Sequence, residues 1–260
     1  MSTATRITTE VRGHIFLIGL NRPEKLNAAD EQMLQELSLA YGELDSNPDL
    51  WVGVVHAHGD HFTAGLDLHD LGTKMAPGKM TLVPKGGIDP WGMTTKQVSK
   101  PVVMAIQGTC FTLGIELALA SEIVIAAENS KFAQLEVSRG ILPFGGATLR
   151  FPNAAGWSQA MRYLLTGDSF DAEQAREMRV VTEVVPVGLQ LDRALELAQK
   201  IADQAPLAVQ QTLDSARAIY SDDREKLMLA SRLGVLMKTN DVQRGMQAFA
   251  TKTKAKFEGN

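Results

Sequence analysis

Short apolar runs separated by turn-forming residues mark the first half of the chain. His14–Leu20 (HIFLIGL) is rich in Ile and Leu and reads as a buried strand. Asn21-Arg22-Pro23 stops it, because proline has no N–H to donate and disfavours helix before it. Trp51–His56, Val102–Ile106, Ile123–Ala126 and the short Lys131–Ala133 read as further strands. Between the first two, Met33, Leu34, Leu37, Leu39 and Tyr41 recur at helical spacing up to Leu44, with Asn27 and Asp30 as cap candidates. Gly59 to Gly65 reads as a turn-rich loop, followed by a short helix from about Asp67. Leu113–Ala120 is apolar nearly throughout and reads as a buried helix. After Gly145 the pattern is mostly helical, with a short strand over Val180–Val185 and helices over Leu189–Asp203, Pro206–Ile219 and Arg224–Met237.

Strands that alternate with helices, followed by a helix-rich second half, imply an α/β fold with a mostly parallel sheet. A boundary near Pro186–Gly188 divides a core, residues 1–186, from a C-terminal helical region, residues 187–260. Thr73–Met93 carries four Gly, three Pro and little periodicity. A stretch of that length without regular structure is usually functional or mobile.

Composition narrows the classes. With 260 residues the chain can bury a large core and needs neither disulfides nor a structural metal to hold it. Its apolar runs reach about five residues, where a membrane span needs about 20. Met1–Glu10 lacks the apolar centre of a signal peptide, and the single cysteine, Cys110, forms no intrachain disulfide. A cytoplasmic location is expected. The net charge of −4, and the absence of Lys and Arg over Asp30–Asp45, argue against a nucleic-acid partner.

Several constellations compete for the chemistry. His56-Ala57-His58-Gly59-Asp60-His61 matches the HxHxDH spacing of metallo-β-lactamase-type sites. A dinuclear site needs further distant ligands, and His14 and His69 do not supply them, so no metal is expected. Cys110 has no general-base partner and reads as a small buried hydrophobe. Two carboxylates stand out: Glu116 has apolar neighbours on both sides, and Glu136 lies between Leu135 and Val137. A buried carboxylate must be paired, protonated or functional. Taken singly, Glu116 reads as a helix N-terminal acid and Glu136 as a partner of Arg139; their combination with glycine-containing loops changes that. Phe62–Leu68 and Gly108–Gly114 each follow a strand and precede a helix, where backbone N–H groups are free to bind an anion. Facing one another, two such turns make an oxyanion hole; apart, they are ordinary turns.

The ordered set of motifs resembles the crotonase (enoyl-CoA hydratase/isomerase) superfamily. Those motifs are Leu20–Ala28 (LNRPEKLNA), Phe62–Leu68 (FTAGLDL), Lys100-Pro101-Val102 with Gly108, Glu116-Leu117-Ala118, Phe132–Glu136 (FAQLE), Gly140–Pro143, Leu165–Asp168 and Gly245–Phe249. The resemblance implies the ClpP/crotonase-like fold of repeated ββα units with a C-terminal helical region for oligomerisation and for closing the CoA site. It implies a homotrimer or dimer of trimers, an acyl-CoA thioester substrate and no separate cofactor, since CoA is part of the substrate. Carried over by position, the N–H groups of Leu66 and Leu113 form the oxyanion hole. Ala64, Leu66, Asp67 and Gly114 border the thioester and pantetheine, Lys25 and Leu26 lie near the adenine and phosphates, and Phe249 and Lys252 match C-terminal CoA contacts. Residues 73–93 shape the acyl pocket.

Glu116 and Glu136, twenty residues apart, match the pair by which hydratases of the family add water syn across an enoyl-CoA double bond. An enoyl-CoA hydratase is therefore the expected function. A double-bond isomerase of the same fold relies on the position of Glu136 alone, and a non-catalytic acyl-CoA-binding protein is the other alternative. The chain departs from the family in having Thr112 and Leu113 where glycines are common, Leu135 before the second glutamate where proline is common, and Glu122 where aspartate is common. These departures bear on acyl preference, which the residues leave open.

Overall fold

A computed structural model describes residues 5–71, 82–217, 231 and 233–255. The central sheet has six strands in the order β1-β2-β3-β4-β6-β9. These are β1 (Ile7–Arg12), β2 (Ile15–Leu20), β3 (Val52–Ala57), β4 (Val102–Ile106), β6 (Ile123–Ala127) and β9 (Glu183–Val185). Strand β1 is antiparallel to β2, and every other neighbouring pair is parallel. A second, three-stranded sheet joins β5 (Thr109–Phe111), β7 (Lys131–Ala133) and β8 (Ser169–Asp171) in the order β5-β7-β8.

Both faces of the central sheet are buried, which is why β2 and β4 read as unbroken apolar runs. Along β2, Phe16, Ile18 and Leu20 face the larger core, whereas Ile15 and Leu17 face the smaller one. Helix α1 (Glu31–Ser46) covers the larger side with Met33, Leu34, Leu37, Tyr41 and Leu44. Asp30 caps it by accepting from Met33 N at 2.9 Å. Asn27 does not share that role: it is fully buried, with φ +51, and donates to the carbonyls of His58 and His61. Leu39, expected on the apolar stripe, is exposed. Helix α3 (Leu113–Ala120) is buried as expected.

The smaller face is covered by a helix from beyond residue 186, α7 (Gln190–Ala202). Its Ala194, Ala198 and Ala202 fall at i, i+4 and i+8 and let the helix sit close to Ile15, Val54 and Val103. Strand β9 is shorter than the expected Val180–Val185. Strand β1 was not anticipated, because only Ile7 of its six residues is buried and no apolar alternation marks it. Part of the expected Arg224–Met237 helix, the end of the expected Pro206–Ile219 helix and residues 73–81 of the expected pocket segment lie outside the described residues. Among the described residues no helix is long and apolar enough to cross a membrane.

Candidate active site

Two loops meet at the edge of the larger core. One runs from β3 through Phe62–Asp67 into α2 (Leu68–Leu71); the other is β5 and the start of α3. They are joined as a short parallel bridge, Thr63 to Cys110, with Thr63 N donating to Thr109 O and Phe111 N to Thr63 O. The first loop is laced to Leu26–Ala29 as well. Ala64 N donates to Leu26 O, Ala29 N to Gly65 O and Asp67 N to Ala29 O, while Gly65 N donates to Thr63 Oγ1. From Phe62 to Asp67 every backbone N–H thus has an acceptor among the described residues except that of Leu66. At the start of α3, Ile115 and Glu116 N–H both reach Thr112 O, and those of Leu113 and Gly114 reach no acceptor among the described residues. Unpaired N–H groups next to a core are uncommon. Here they sit on facing loops at a helix N-terminus, the arrangement that binds an oxyanion.

Gly65 and Thr112 are the point of closest approach between the loops. Gly65 has φ +99, and a Cβ there would overlap Thr112 Oγ1. Thr112 itself has φ +48 and ψ −111, a conformation open to glycine and costly for a β-branched residue. Strain of that kind is on the order of 1–3 kcal/mol, and glycine returns part of the gain through its larger unfolded-state entropy. Thr112→Gly is therefore expected to raise stability by about 1 kcal/mol, measured as a higher urea midpoint at unchanged slope. A lower midpoint would show that the side chain's contacts outweigh the strain.

Glu116 lies one turn into α3 and is only 3% exposed. Its Oε1 accepts from Ala147 N at 3.1 Å, at the start of α4 (Ala147–Ala155). Gly145 passes so close that a Cβ would sit 2.6 Å from Glu116 Oε2 and 3.1 Å from Trp91 Cδ1. Burial pushes the Glu116 carboxyl up to about 7, against the Ala147 and Gly145 N–H groups and the Arg150 charge, which favour ionisation. Glu136 opens the 3-10 turn Glu136–Arg139, is 6% exposed, and its Oε2 has no partner among the described residues. Burial, and secondarily the charge of Glu116, hold it well above the usual carboxylate range. The two carboxylates, separate in sequence, therefore feel one another in space.

The other candidates divide. Leu26 and Ala64 border the same loop contact, and Gly114 is buried beside Thr63 and Cys110. The Asp67 side chain turns to Arg22, 2.7 Å from its Nη1, and accepts from His69 N, so here it anchors the loop. Lys25 is exposed in the 3-10 turn Pro23–Lys25. Phe249 is half-exposed on the C-terminal helix Asn240–Thr251, under the Arg139 guanidinium at 4.7 Å, and Lys252 caps that helix in a left-handed conformation. Residues absent from the sequence reading are Asp89 and Arg150. The buried Asp89 carboxylate gathers the N–H groups of Trp91, Met93 and Thr94, and Arg150 donates to Trp91 O and Gly145 O. Trp91 Nε1 donates to Leu113 O at 3.0 Å. Asp89 lies inside the Thr73–Met93 stretch expected to shape the acyl pocket, but nothing in its local sequence set it apart.

Two histidines of the HxHxDH run are engaged locally. His58 Nε2 pairs with Thr8 Oγ1 at 2.7 Å and His61 Nδ1 accepts from Thr109 N at 3.0 Å. Burial and the neighbouring His58 push His56 down to about 4. Among the described residues no group of three His, Cys, Asp or Glu side chains is placed to hold a metal ion. Cys110 is fully buried, and burial pushes its thiol up.

Residues 10–260 match the family model described as enoyl-CoA hydratase/isomerase. The chain belongs to the enoyl-CoA hydratase/isomerase family. A probable enoyl-CoA hydratase/isomerase from Mycobacterium abscessus is 47% identical, with a TM-score of 0.80 over 98% of this chain and 99% of that one. A carnitinyl-CoA hydratase from Mycobacterium avium is 29% identical, with a TM-score of 0.90 over 99% of this chain and 100% of that one. Enoyl-CoA hydratase EchA19 of Mycobacterium tuberculosis is 31% identical over 255 residues, 96% of this chain and 95% of its own. The expected crotonase fold is thereby established, and with it a family of enzymes that use CoA thioesters.

Proposed function

We propose that this family member is an enoyl-CoA hydratase, adding water syn across the 2,3 double bond of an enoyl-CoA thioester. The observation that carries this reading is the pair of buried carboxylates, Glu116 and Glu136, behind two loops with unpaired N–H groups. In the proposed mechanism, Leu66 and Leu113 N–H hold the thioester oxygen and stabilise the enolate-like charge as oxygen attacks C3. The surroundings of the two carboxylates support one division of the proton traffic. Glu116 receives backbone N–H groups, ionises more easily and takes the proton of the attacking water. Glu136, with an unpartnered oxygen and a charged neighbour, retains its proton and delivers it to C2.

The reading extends to CoA recognition by Lys25, Leu26, Phe249 and Lys252, with Ala64, Asp67 and Gly114 bordering the thioester path and residues 187–260 as lid and assembly region. It also takes a homotrimer or dimer of trimers and a cytoplasmic location; exposed Trp157 and Leu165 on α5 (Trp157–Thr166) offer apolar surface for a second copy. Relatives with different acyl groups in their names leave the acyl chain open.

A panel of enoyl-CoA esters headed by crotonyl-CoA tests the function. Loss of enoyl-thioester absorbance, with a product heavier by one water, is the expected result. A product of unchanged mass with a migrated double bond would assign the chain to the isomerases instead.

A further inference from the structure

Thr112 stands where the two loops touch, between β5 and α3. Its backbone is fully committed: Thr112 N donates to Ala133 O at 2.9 Å, and Thr112 O accepts from Ile115 N and Glu116 N. Its side chain is not. The hydroxyl has no hydrogen-bond partner among the described residues, whereas the nearby Thr63 hydroxyl both donates to Asn27 O and accepts from Gly65 N. Thr112 is partly exposed, so its hydroxyl is not sealed in the core. Oγ1, Cβ and Cγ2 of Thr112 are the three atoms nearest to where a Gly65 side chain would begin. The side chain therefore projects towards the residue that precedes Leu66, while its own carbonyl carbon is bonded to Leu113 N. A hydroxyl without a hydrogen-bond partner among the described residues thus lies against Gly65, the residue before Leu66, and belongs to the residue before Leu113.

We propose that Thr112 Oγ1 is a third donor to the thioester oxygen, joining the N–H groups of Leu66 and Leu113. This rests on the hydratase reading above. The step is a hydrogen bond only: the hydroxyl keeps its proton and shares it with the oxygen as enolate charge develops. A neutral O–H is a good donor at any pH at which the protein is folded, so its contribution is independent of the carboxylates' ionisation. Its geometry is set by the positive φ of residue 112, which aims the side chain across the loop contact instead of back along α3.

The test compares Thr112→Val, which keeps the shape and removes the hydroxyl, with Thr112→Ser, which keeps the hydroxyl; Thr112→Ala serves if the valine variant does not fold. The probe is a dimethylamino-substituted cinnamoyl-CoA thioester, whose absorption band moves to longer wavelength as its carbonyl is polarised. Wild type is expected to shift the band, Thr112→Val to shift it less, and Thr112→Ser to restore the shift. The kcat of Thr112→Val should fall about tenfold, below the 10²–10³ typical of a principal oxyanion donor, with KM little changed. A full band shift and full kcat in the valine and alanine variants would overturn the role of Thr112 alone. No band shift and no water addition by wild type would overturn the hydratase reading, and the third donor with it.

Discussion

Glu136→Gln is expected to lower kcat for water addition by about 10²–10⁴-fold, the usual worth of a positioned acid or base, while the CoA ester still binds. Glutamine keeps the shape and polarity of the side chain but cannot give or take a proton. Glu116→Gln should behave alike, because the attacking water then has no base. In the proposed mechanism the two residues move protons in one event, so the double variant should be little slower than the slower single variant. Steady-state kinetics with crotonyl-CoA, beside direct titration of a saturated acyl-CoA, separates turnover from binding. Full turnover in both single variants would reject the pair as the acid and base. Loss of binding in both would make them structural supports of the pocket.

The same burial carries a stability cost with a definite pH dependence. The folded-state pKa of Glu116 is raised from 4.5 to about 7. The folded protein therefore binds more protons than the unfolded chain between those values, and stability falls as pH rises through that window. Above it the penalty is complete, roughly 3 kcal/mol for a shift of this size. Glu116→Gln removes the penalty and keeps an acceptor for Ala147 N. The variant should be more stable than wild type at pH 8 by up to that amount, on the order of 5–10 °C in Tm, and indistinguishable from it near pH 4.5. Thermal melts of both proteins at the two pH values check this. An equal difference at both would show that something other than the ionisation of Glu116 sets the change.

Much of this was legible where a local rule acts alone. Val102–Ile106 and Leu113–Ala120 have the bounds their apolar runs predict, because burial on all sides leaves no polar position to confuse the pattern. The catalytic candidates Glu116 and Glu136 were visible as carboxylates in apolar company. What escaped was whatever depends on the three-dimensional meeting of distant segments. Strand β5 looks like part of a glycine loop until β7 is seen beside it. Asn27 has the composition of a helix cap, but its amide is taken by two carbonyls more than thirty residues away. Arg150 sits in a helix with no nearby acid in sequence, and its partners are the carbonyls of Trp91 and Gly145. Asp67 was carried over as a ligand contact, and only the fold brings Arg22 to it. Periodicity reports which face is buried; it is silent about which loop lies opposite.

The alanine stripe of α7 has a consequence for how the chain is made. Ile15, Leu17, Val52, Val54, Val103 and Ile125 share one face of the sheet, and Ala194, Ala198 and Ala202 close it. On the ribosome, all the strands that bear this face emerge before the helix that covers it. For the time taken to translate some seventy-five residues, Ile125 to Ala202, the nascent protein presents an uncovered aliphatic plane. Such a plane is what holdase chaperones bind, and it is also where two nascent chains would stick together.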